Sequence, residues 1–303
     1  MDEKVFKSGF VAMLGRTNVG KSSIINSLVG EKIAAIANKP QTTRNQIRAI
    51  VNRENSQIVF VDTPGVHKPK TKLGNVMIET AFSSAEGVDI IVFVIDATSE
   101  DIGKGDRKIL DKILEYNKKT ILVINKIDLV KKEQVAKLIE LYSKEYKFTA
   151  VIPISVKKNI NLEIILDEIE KNLDEGVAFF DKEEYTDQTL RQLAEEVIRE
   201  KALKLLDDEI PHGIYVETEK MKHRKTKEKD PIFDVEATIY CLRDSHKGII
   251  IGKGGNMLKK IGTYAREDLE RMLDSKVNLK LWVKVKSDWV NEESIVNRFK
   301  NNK

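Results

Sequence analysis

The sequence of 303 residues contains a single cysteine, Cys241, so no disulfide can form within the chain and a reducing compartment is expected. Long hydrophobic runs are also missing. The longest, Ile90–Ile95, falls far short of the roughly 20 residues that a membrane-spanning helix needs. The N-terminal segment lacks the apolar core of a signal peptide. These absences predict a cytoplasmic protein, with a chain long enough for two domains.

A strong excess of one charge is missing as well. The chain carries 52 Lys and Arg against 48 Asp and Glu, and its net charge of +4 is too small to indicate a nucleic-acid partner by itself. The charge is unevenly placed, however. No acidic residue occurs in residues 245–266, and a second basic run spans Lys220–Lys227. Taken alone, either stretch is more typical of a solvated surface than of a binding site.

Short apolar stretches alternate with amphipathic stretches in the first half of the chain. The apolar stretches are rich in Val and Ile on both faces, which is typical of strands in a parallel sheet that helices cover. The pattern predicts a doubly wound α/β domain over residues 1–175, with ligands at the carboxyl ends of its strands. The alternation stops in residues 176–188, which we interpret as a linker. Residues 189–303 are predicted to form a smaller α+β domain.

A phosphate-binding loop follows the first predicted strand. The segment Gly15–Ser22 reads GRTNVGKS, the G-x-x-x-x-G-K-[ST] pattern between a strand and a helix. Backbone N–H groups and the helix N-terminus face the phosphates, Lys21 reaches the β- and γ-phosphates, and the Ser22 hydroxyl is a ligand of Mg²⁺. The predicted phosphate-binding residues are Gly15, Asn18, Val19, Gly20, Lys21, Ser22, Ser23 and Gly65.

The base is predicted from the segment NKID, Asn125–Asp128, at the end of a later strand. A carboxylate at this place can accept hydrogen bonds from N1–H and the 2-amino group of guanine, whereas adenine offers neither donor. The segment therefore favours a GTP-using protein over a P-loop ATPase or kinase, which is the alternative. The predicted guanine-binding residues are Asn125, Lys126, Asp128, Ser155, Val156 and Lys157.

Two segments are predicted to act as switches that sense the third phosphate. In the first, Pro40–Arg44, either Thr42 or Thr43 completes the Mg²⁺ shell; the sequence does not decide between them, and we favour Thr43. In the second, Asp62 holds Mg²⁺ through water and the Gly65 N–H contacts the γ-phosphate. The predicted switch residues are Thr42, Thr43, Asp62, Gly65 and Val66, and the predicted Mg²⁺ ligands are Ser22, Thr43 and, through water, Asp62.

The order of these motifs resembles the translation-factor-like GTPases. The resemblance implies that Val66 stands where many GTPases carry the glutamine that orients the attacking water. It also implies that Asn18 is a candidate K⁺ ligand, with a loop-stabilising role as the alternative. Without that glutamine, we expect slow intrinsic hydrolysis, on the order of 10⁻⁴ to 10⁻² s⁻¹.

The second half contains a different glycine loop, GKGG, at Gly252–Gly255. It lies between two predicted helices, and it lacks the spacer and the lysine–serine ending of a nucleotide loop. The predicted order helix–strand–strand–helix–helix–strand resembles a type II KH domain, whose loop clamps a single-stranded nucleic-acid backbone. The predicted RNA-binding residues are Gly252, Lys253, Gly254, Gly255, Lys259 and Lys260, together with Ile249, Ile250 and Ile251, which are predicted to line the adjoining apolar groove on which bases pack.

Three further features are interpreted as structural. Trp282 and Trp289 taken alone would suggest stacking platforms for bases, but Trp282 lies in an alternating strand and is predicted to face the core. Cys241 is predicted to be a small buried residue. The basic run at residues 220–227 is predicted to be a loop at a hairpin tip, and a contact with RNA is the weaker alternative.

Over essentially its whole length, the chain resembles the Era family of bacterial GTPases. The resemblance is carried by the segments 62–74, 186–201 and 248–255 in that order. It implies a GTP-hydrolysing switch with GTP or GDP, Mg²⁺ and, as a candidate, K⁺. It also implies binding to the 3′ end of 16S rRNA, a role in assembly of the small (30S) ribosomal subunit, and peripheral association with the inner face of the membrane. We expect a monomer. The alternative is that the KH-like domain binds a protein or a membrane partner.

Overall fold

The computed structural model describes residues 5–37, 39, 42–44, 46–66, 69, 71–207, 210–225 and 231–300. The chain packs as two units. The first comprises the described residues of 1–34, 43–187 and 298–303, and the second comprises those of 35–42 and 188–297. Residues 35–42 thus pack with the second unit although both of their neighbouring segments belong to the first.

The first unit is built on a six-stranded sheet with the order β2-β3-β1-β4-β5-β6. All neighbouring strands are parallel except the antiparallel pair β2 and β3. The predicted doubly wound, mostly parallel sheet is therefore confirmed. The strands are β1 Lys7–Gly15, β2 Ile47–Asn52, β3 Ser56–Asp62, β4 Ile90–Asp96, β5 Lys119–Asn125 and β6 Ala150–Pro153.

Helices cover both faces of this sheet because both faces are apolar. Val11 and Met13 of β1 join a core cluster with α1 and α5, while the intervening Ala12 and Leu14 join a cluster with α3 and α4 on the opposite face. The strand ends that carry the nucleotide motifs are thereby held by a rigid, buried scaffold. The helices are α1 Lys21–Val29, α2 Lys72–Glu86, α3 Lys104–Tyr116, α4 Lys132–Glu145 and α5 Leu162–Asn172.

The second unit has a three-stranded sheet of order β7-β8-β9, with β7 and β8 antiparallel and β8 and β9 parallel. Three helices pack on one face, where they bury a single apolar cluster. The predicted α-β-β-α-α-β order is confirmed. The elements are α6 Leu190–Leu205, β7 Ile214–Lys225, β8 Pro231–Cys241, α7 Asp244–Ile251, α8 Asn256–Leu273 and β9 Lys276–Val285, and the helix α9 Glu293–Lys300 follows them in the chain.

The segment that we interpreted as a linker follows the edge of the first unit's sheet. The N–H of Ile50 on β2 donates to the Tyr185 carbonyl at 3.0 Å, and the Thr186 hydroxyl donates to the Arg48 carbonyl at 2.8 Å. The buried Gln57 side chain accepts from two further backbone N–H groups of this segment. Two backbone groups of the edge strand β2 are thus satisfied by the linker residues, which helps to order their path without regular secondary structure.

Two predictions for the second unit are wrong. Trp282 is 42% exposed, because the even-numbered positions of β9 point away from the helices; the other tryptophan, Trp289, is fully buried and donates to the Gly213 carbonyl at 3.0 Å. The predicted loop at 220–227 is a strand as far as Lys225, where β7 still pairs with β8. Residues 226 and 227 lie outside the described residues. Cys241 is buried and unpaired, as predicted.

Among the residues that the structure describes, no helix combines the length and the apolar character that crossing a membrane requires.

Candidate functional site

The phosphate-binding loop connects β1 to α1. Gly20 adopts a φ of 104°, and a Cβ added there would lie 2.3 Å from Nδ2 of Asn125, so this position requires glycine for both conformation and space. The side chain of Val19 is buried in the core, and its backbone forms part of the loop. Asn18 is exposed and has a φ of 66°. Asparagine tolerates that left-handed conformation better than most residues. Ser23 is half-buried in the first turn of α1.

Lys21 lies at the centre of the loop and is 6% exposed. Its Nζ donates to the carbonyls of Gly15 at 3.1 Å and Arg16 at 3.2 Å. Burial lowers the pKa of Lys21 to about 8, and the nearby carboxylate of Asp62 only partly opposes this shift. A buried cation held by backbone carbonyls is well placed to exchange them for phosphate oxygens.

The three predicted magnesium ligands lie within hydrogen-bonding distance of one another. The Ser22 hydroxyl lies 2.8 Å from the Thr43 hydroxyl and donates to the Asp62 carboxylate at 2.9 Å. The Thr43 hydroxyl donates to the same carboxylate oxygen at 3.3 Å. Oxygen donors of this kind are the ligands that Mg²⁺ prefers, so the residues present fit the ion.

The structure separates the two candidate threonines of the first switch segment. Thr43 is grouped with the magnesium ligands in the first unit, whereas the Thr42 hydroxyl donates to the carbonyls of Ala37 at 3.1 Å and Lys39 at 2.6 Å in the second unit. Their side chains therefore have different partners although they are adjacent in sequence. This geometry favours Thr43 as the ligand.

In the second switch segment, the backbone approaches the phosphate loop directly. The N–H of Val66, which follows Gly65, donates to the Gly15 carbonyl at 3.1 Å. The Val66 side chain is 3% exposed and packs in the core with Ile78. A valine side chain has no hydrogen-bonding group with which to orient a water molecule, and here it is also buried.

Asn125 connects the base-binding segments to the phosphate loop. Its Nδ2 donates to the Val19 carbonyl at 2.9 Å, and its Oδ1 accepts from the N–H groups of Lys126 at 2.8 Å and Val156 at 3.4 Å. Lys126 in turn donates to the Asn18 carbonyl at 2.8 Å. The buried Asn125 amide and the neighbouring Lys126 thus connect the phosphate loop to the two base-binding segments.

Asp128 is held by Ser155, the residue predicted beside it. The Ser155 hydroxyl donates to Oδ1 of Asp128 at 2.6 Å and accepts from the Lys158 N–H at 3.1 Å. Ser155 is fully buried, while Asp128 is half-buried and Lys157 is exposed. The serine orients the carboxylate, as recognition of the guanine edge requires.

Two acidic residues that sequence reasoning missed also hold the site. Lys126 donates to Asp96 at 2.5 Å; although burial opposes it, this hydrogen bond keeps the pKa of Asp96 below its usual range. Arg16 of the phosphate loop pairs at 2.9 Å with Asp106, which is fully buried on α3. Neither aspartate belongs to one of the nucleotide motifs of the sequence. Arg16 and Asp106 are moreover 90 residues apart, so the sequence does not show that they pair.

The GKGG loop of the second unit joins α7 to α8 through a tight turn. Gly252, Gly254 and Gly255 all adopt positive φ angles, of 74°, 62° and 80°. Such angles favour glycine, and they leave Lys253 as the loop's one large side chain, which is exposed. The loop therefore offers bare backbone and a single cation to a ligand.

An open cavity of about 400 Å³ lies between α8 and the edge strand β9, next to this loop. Of the predicted RNA-binding residues, it contains Gly255 and Lys259, while Lys260 is exposed elsewhere on α8. Its apolar floor comes from residues that sequence reasoning missed, and Arg266 adds a cation. The lining residues are Gly255, Leu258, Lys259, Gly262, Thr263, Arg266, Leu279 and Leu281.

The prediction that three consecutive isoleucines line one groove is wrong. Ile250 is fully buried in the core, Ile251 packs against that core, and Ile249 is 51% exposed. The reason is helix geometry: consecutive residues of α7 point about 100° apart, so three in a row cannot share one wall.

These two sites define the class of the protein. A phosphate loop, a cluster of magnesium-type oxygen donors and an aspartate placed for guanine form a GTP-binding domain. Two helices joined by GKGG on a three-stranded sheet form a type II KH domain. The chain is a GTPase with a C-terminal KH domain.

Comparisons with known proteins give the family. The GTPase Era of Clostridioides difficile is 51% identical over 97% of this chain and 98% of its own length. The chain belongs to the Era family of GTPases. The GTPase Era of Ruminiclostridium cellulolyticum is 47% identical over 96% of each chain. The family model described as 50S ribosome-binding GTPase matches residues 10–126, and the KH domain model matches residues 209–290.

Two solved structures agree over 97% of this chain. Era in complex with MgGDPNP and nucleotides 1506–1542 of 16S ribosomal RNA has a TM-score of 0.92 and 40% identity, covering 97% of this chain and 98% of that one. A point variant of Aquifex aeolicus Era bound to GDP and AlF₄⁻ has a TM-score of 0.91 and 39% identity, covering 97% and 99%. The predicted family and fold are confirmed, and the protein is a GTPase that forms GDP and phosphate.

Proposed function

We propose that this GTPase is a molecular switch that binds the 3′ end of 16S rRNA through its KH domain and acts in assembly of the small ribosomal subunit. The observation that carries the proposal is the presence, in one chain, of a complete guanine-nucleotide site and a basic GKGG groove. The related Era that holds MgGDPNP together with nucleotides of 16S rRNA supports it.

In the nucleotide site, the proposed roles follow from the contacts. The loop N–H groups and Lys21 bind the phosphates, and Asp128 with Ser155 selects guanine. Ser22 and Thr43, with Asp62 through water, would hold Mg²⁺, which when bound neutralises charge on the β- and γ-phosphates.

Hydrolysis is proposed to be slow. The side chain at Val66 is buried and does not position the attacking water. Asn18 would hold a cation, for which we propose K⁺, and that cation would supply positive charge beside the phosphates. The test is GTP turnover in K⁺ and in Na⁺ at equal ionic strength. Equal rates in the two salts, or an unchanged ratio in Asn18→Asp, would remove K⁺ from the mechanism.

The proposal also covers the domains of the chain, its oligomeric state and its location in the cell. Residues 1–175 and 189–303 are proposed as the two domains, joined by residues 176–188. We propose that the protein works as a monomer in the cytoplasm on the 30S subunit. Peripheral contact with the inner face of the membrane belongs to the proposal only through the family resemblance.

The central test is binding of a labelled single-stranded RNA that copies the 3′ end of 16S rRNA, with GDP and with a non-hydrolysable GTP analogue. The intact protein should bind, more tightly with the analogue, and a scrambled RNA should bind worse. The double variant Lys253→Asp/Gly254→Asp should lose binding because it places carboxylates where the RNA backbone is clamped. Lys137→Asp, at an exposed position on α4, is the matched control.

Absence of RNA binding in both nucleotide states would overturn the proposal. A protein partner of the GTP form would then be the function to seek.

A further inference from the structure

The outer face of strand β9 carries a line of lysines interrupted by one tryptophan. Side chains alternate along a strand, and the odd-numbered positions from Val277 to Val285 pack toward the helices. The even-numbered positions are all exposed, and the strand contains no acidic residue. We call this exposed set the β9 stripe; it comprises Lys276, Asn278, Lys280, Trp282 and Lys284.

Trp282 is the one aromatic residue of the stripe. Single exposed aromatic residues are common on protein surfaces. Here, however, the side chain is 42% exposed at the middle of an edge strand, and a lysine stands two residues before it and two residues after it on the same face. The apolar core lies on the other face of the sheet, so the core does not explain this tryptophan.

The spacing within the stripe suits a nucleic-acid strand. Neighbours on one face of a strand are about 6.6 Å apart, twice the rise per residue. A base stacked on Trp282 would therefore have a cation on either side, at Lys280 and Lys284. Aromatic platforms set in a basic track are how proteins hold single-stranded nucleic acids.

The glutamates that pair with Lys280 and Lys284 leave both lysines accessible to a ligand. Lys280 pairs with Glu236 at 3.9 Å and Lys284 pairs with Glu219 at 3.2 Å, and more than half of each lysine side chain is exposed. Exposed ion pairs of this kind are weak, so a phosphate can replace the glutamate as the partner.

The stripe also borders the GKGG groove. The inward-facing Leu279 and Leu281 of the same strand form part of the groove floor. Because β9 is at the edge of the sheet, its outer side is not covered by another strand. An RNA chain that leaves the groove across this edge reaches the stripe.

We propose that the β9 stripe is a second RNA-binding surface, on which an unpaired base stacks on Trp282 and the stripe lysines contact the flanking phosphates. The inference rests on the proposed function, since one RNA chain occupies both surfaces. A membrane fits less well, because a single aromatic side chain is a small apolar area to insert among lipids. A protein interface would need a larger desolvated apolar centre.

The test compares two RNAs in the GTP-analogue state. One is trimmed from the 3′-end sequence until affinity just begins to fall, so that it fills the groove only; the other extends it by about eight nucleotides at each end. The variants are Trp282→Thr, Trp282→Phe and the triple variant K276Q/K280Q/K284Q. The matched control is Lys137→Gln, an exposed lysine on α4 in the first unit.

We expect Trp282→Thr to weaken the extended RNA roughly 5-fold to 150-fold, the range of base–aromatic stacking, and to leave the trimmed RNA unchanged. Trp282→Phe should retain most of the affinity. The triple variant should reduce the salt slope for the extended RNA by about 2, since each single-strand phosphate contact contributes roughly 0.7. Because Trp289 is buried, quenching of tryptophan fluorescence by the extended RNA should disappear in Trp282→Phe.

Three results would overturn the inference: unchanged binding of the extended RNA, equal losses on both RNAs, or losses confined to binding of vesicles of anionic lipid. Failure of the unmodified protein to bind either RNA would instead refute the proposed function. Unchanged thermal melting of the variants separates all of these results from misfolding.

Discussion

At the scale of single residues, the nucleotide site depends on groups that orient other groups. Asn125 is a clear example, because its amide fills a buried position between the phosphate loop and the two base-binding segments. Ser155 does the same for Asp128. The motif residues are therefore placed by a small hydrogen-bond network, and single substitutions should have specific effects.

Asp128→Asn should lower affinity for GTP roughly 100-fold or more and raise affinity for xanthosine nucleotides. The carboxylate is the acceptor for the guanine edge, and a mispaired amide leaves buried polar groups unsatisfied. The measurement is competition between the two nucleotides. Asp111→Asn, at an exposed position on α3, should change neither affinity. Retained preference for guanine in Asp128→Asn would contradict the assignment of the base site.

Binding of GDP near pH 8 should take up protons. Burial lowers the pKa of Lys21 to about 8, so part of the free protein has a neutral lysine at pH 8.0, and bound phosphates raise that pKa and favour the charged form. Affinity should accordingly fall as the pH rises above 8. Calorimetry in two buffers of different ionisation enthalpy measures the uptake, and equal heats in both at pH 8.0 would disprove it.

At the scale of elements, helix α6 is unusual because charged residues lie on its buried face. Arg199 and Glu200 are 3% and 0% exposed. Arg199 pairs with Glu196 and donates to the Thr42 carbonyl, while Glu200 accepts from the Ile36 N–H at 3.0 Å. These charges hold the backbone at Ile36 and Thr42, which explains why the described residues of 35–42 pack with the second unit.

Arg199→Ala should destabilise the second unit by about 3–5 kcal/mol, because it leaves Glu196 buried without its partner. Urea unfolding followed by tryptophan fluorescence measures this, since Trp282 and Trp289 are both in that unit. Arg191→Ala, exposed on the same helix, is the control. Replacing the whole pair by Arg199→Met/Glu196→Leu should recover most of the loss. A cost below about 1 kcal/mol for Arg199→Ala would show that the pair does not stabilise the unit.

At the scale of the whole molecule, two separate cores carry two separate binding sites. The first switch segment has residues in both units: Thr42 is held by α6, and Thr43 lies among the predicted magnesium ligands. If this segment has two conformations and a nucleotide binds one of them more tightly, binding of that nucleotide must increase the population of the favoured conformation.

If GTP and RNA are coupled in this way, their coupling must be reciprocal. The factor by which the GTP analogue tightens RNA binding, relative to GDP, should equal the factor by which RNA raises the preference for the analogue over GDP. Measuring both factors on the intact protein tests this, and Arg199→Met/Glu196→Leu should reduce them together. Coupling that stays unchanged in this variant would show that α6 does not transmit the nucleotide state.

The sequence by itself determined the two glycine loops, the motifs at the strand ends and the order of the elements. Such features depend on local properties: backbone conformations that only glycine adopts easily, hydrophobic periodicity, and donors and acceptors at fixed spacing. For the same reason, the roles proposed for Lys21, Asp62 and Asp128 follow from their motifs alone.

Only the tertiary structure decided what depends on distant contacts. It grouped Thr43 with Ser22 and Asp62, the other predicted magnesium ligands, paired Arg16 with Asp106, and placed Ile250 in the core. It also turned Trp282 toward solvent. The physical reason is that the face a side chain presents, and the partner it finds, depend on how elements remote in sequence pack together, and a local pattern does not contain that information.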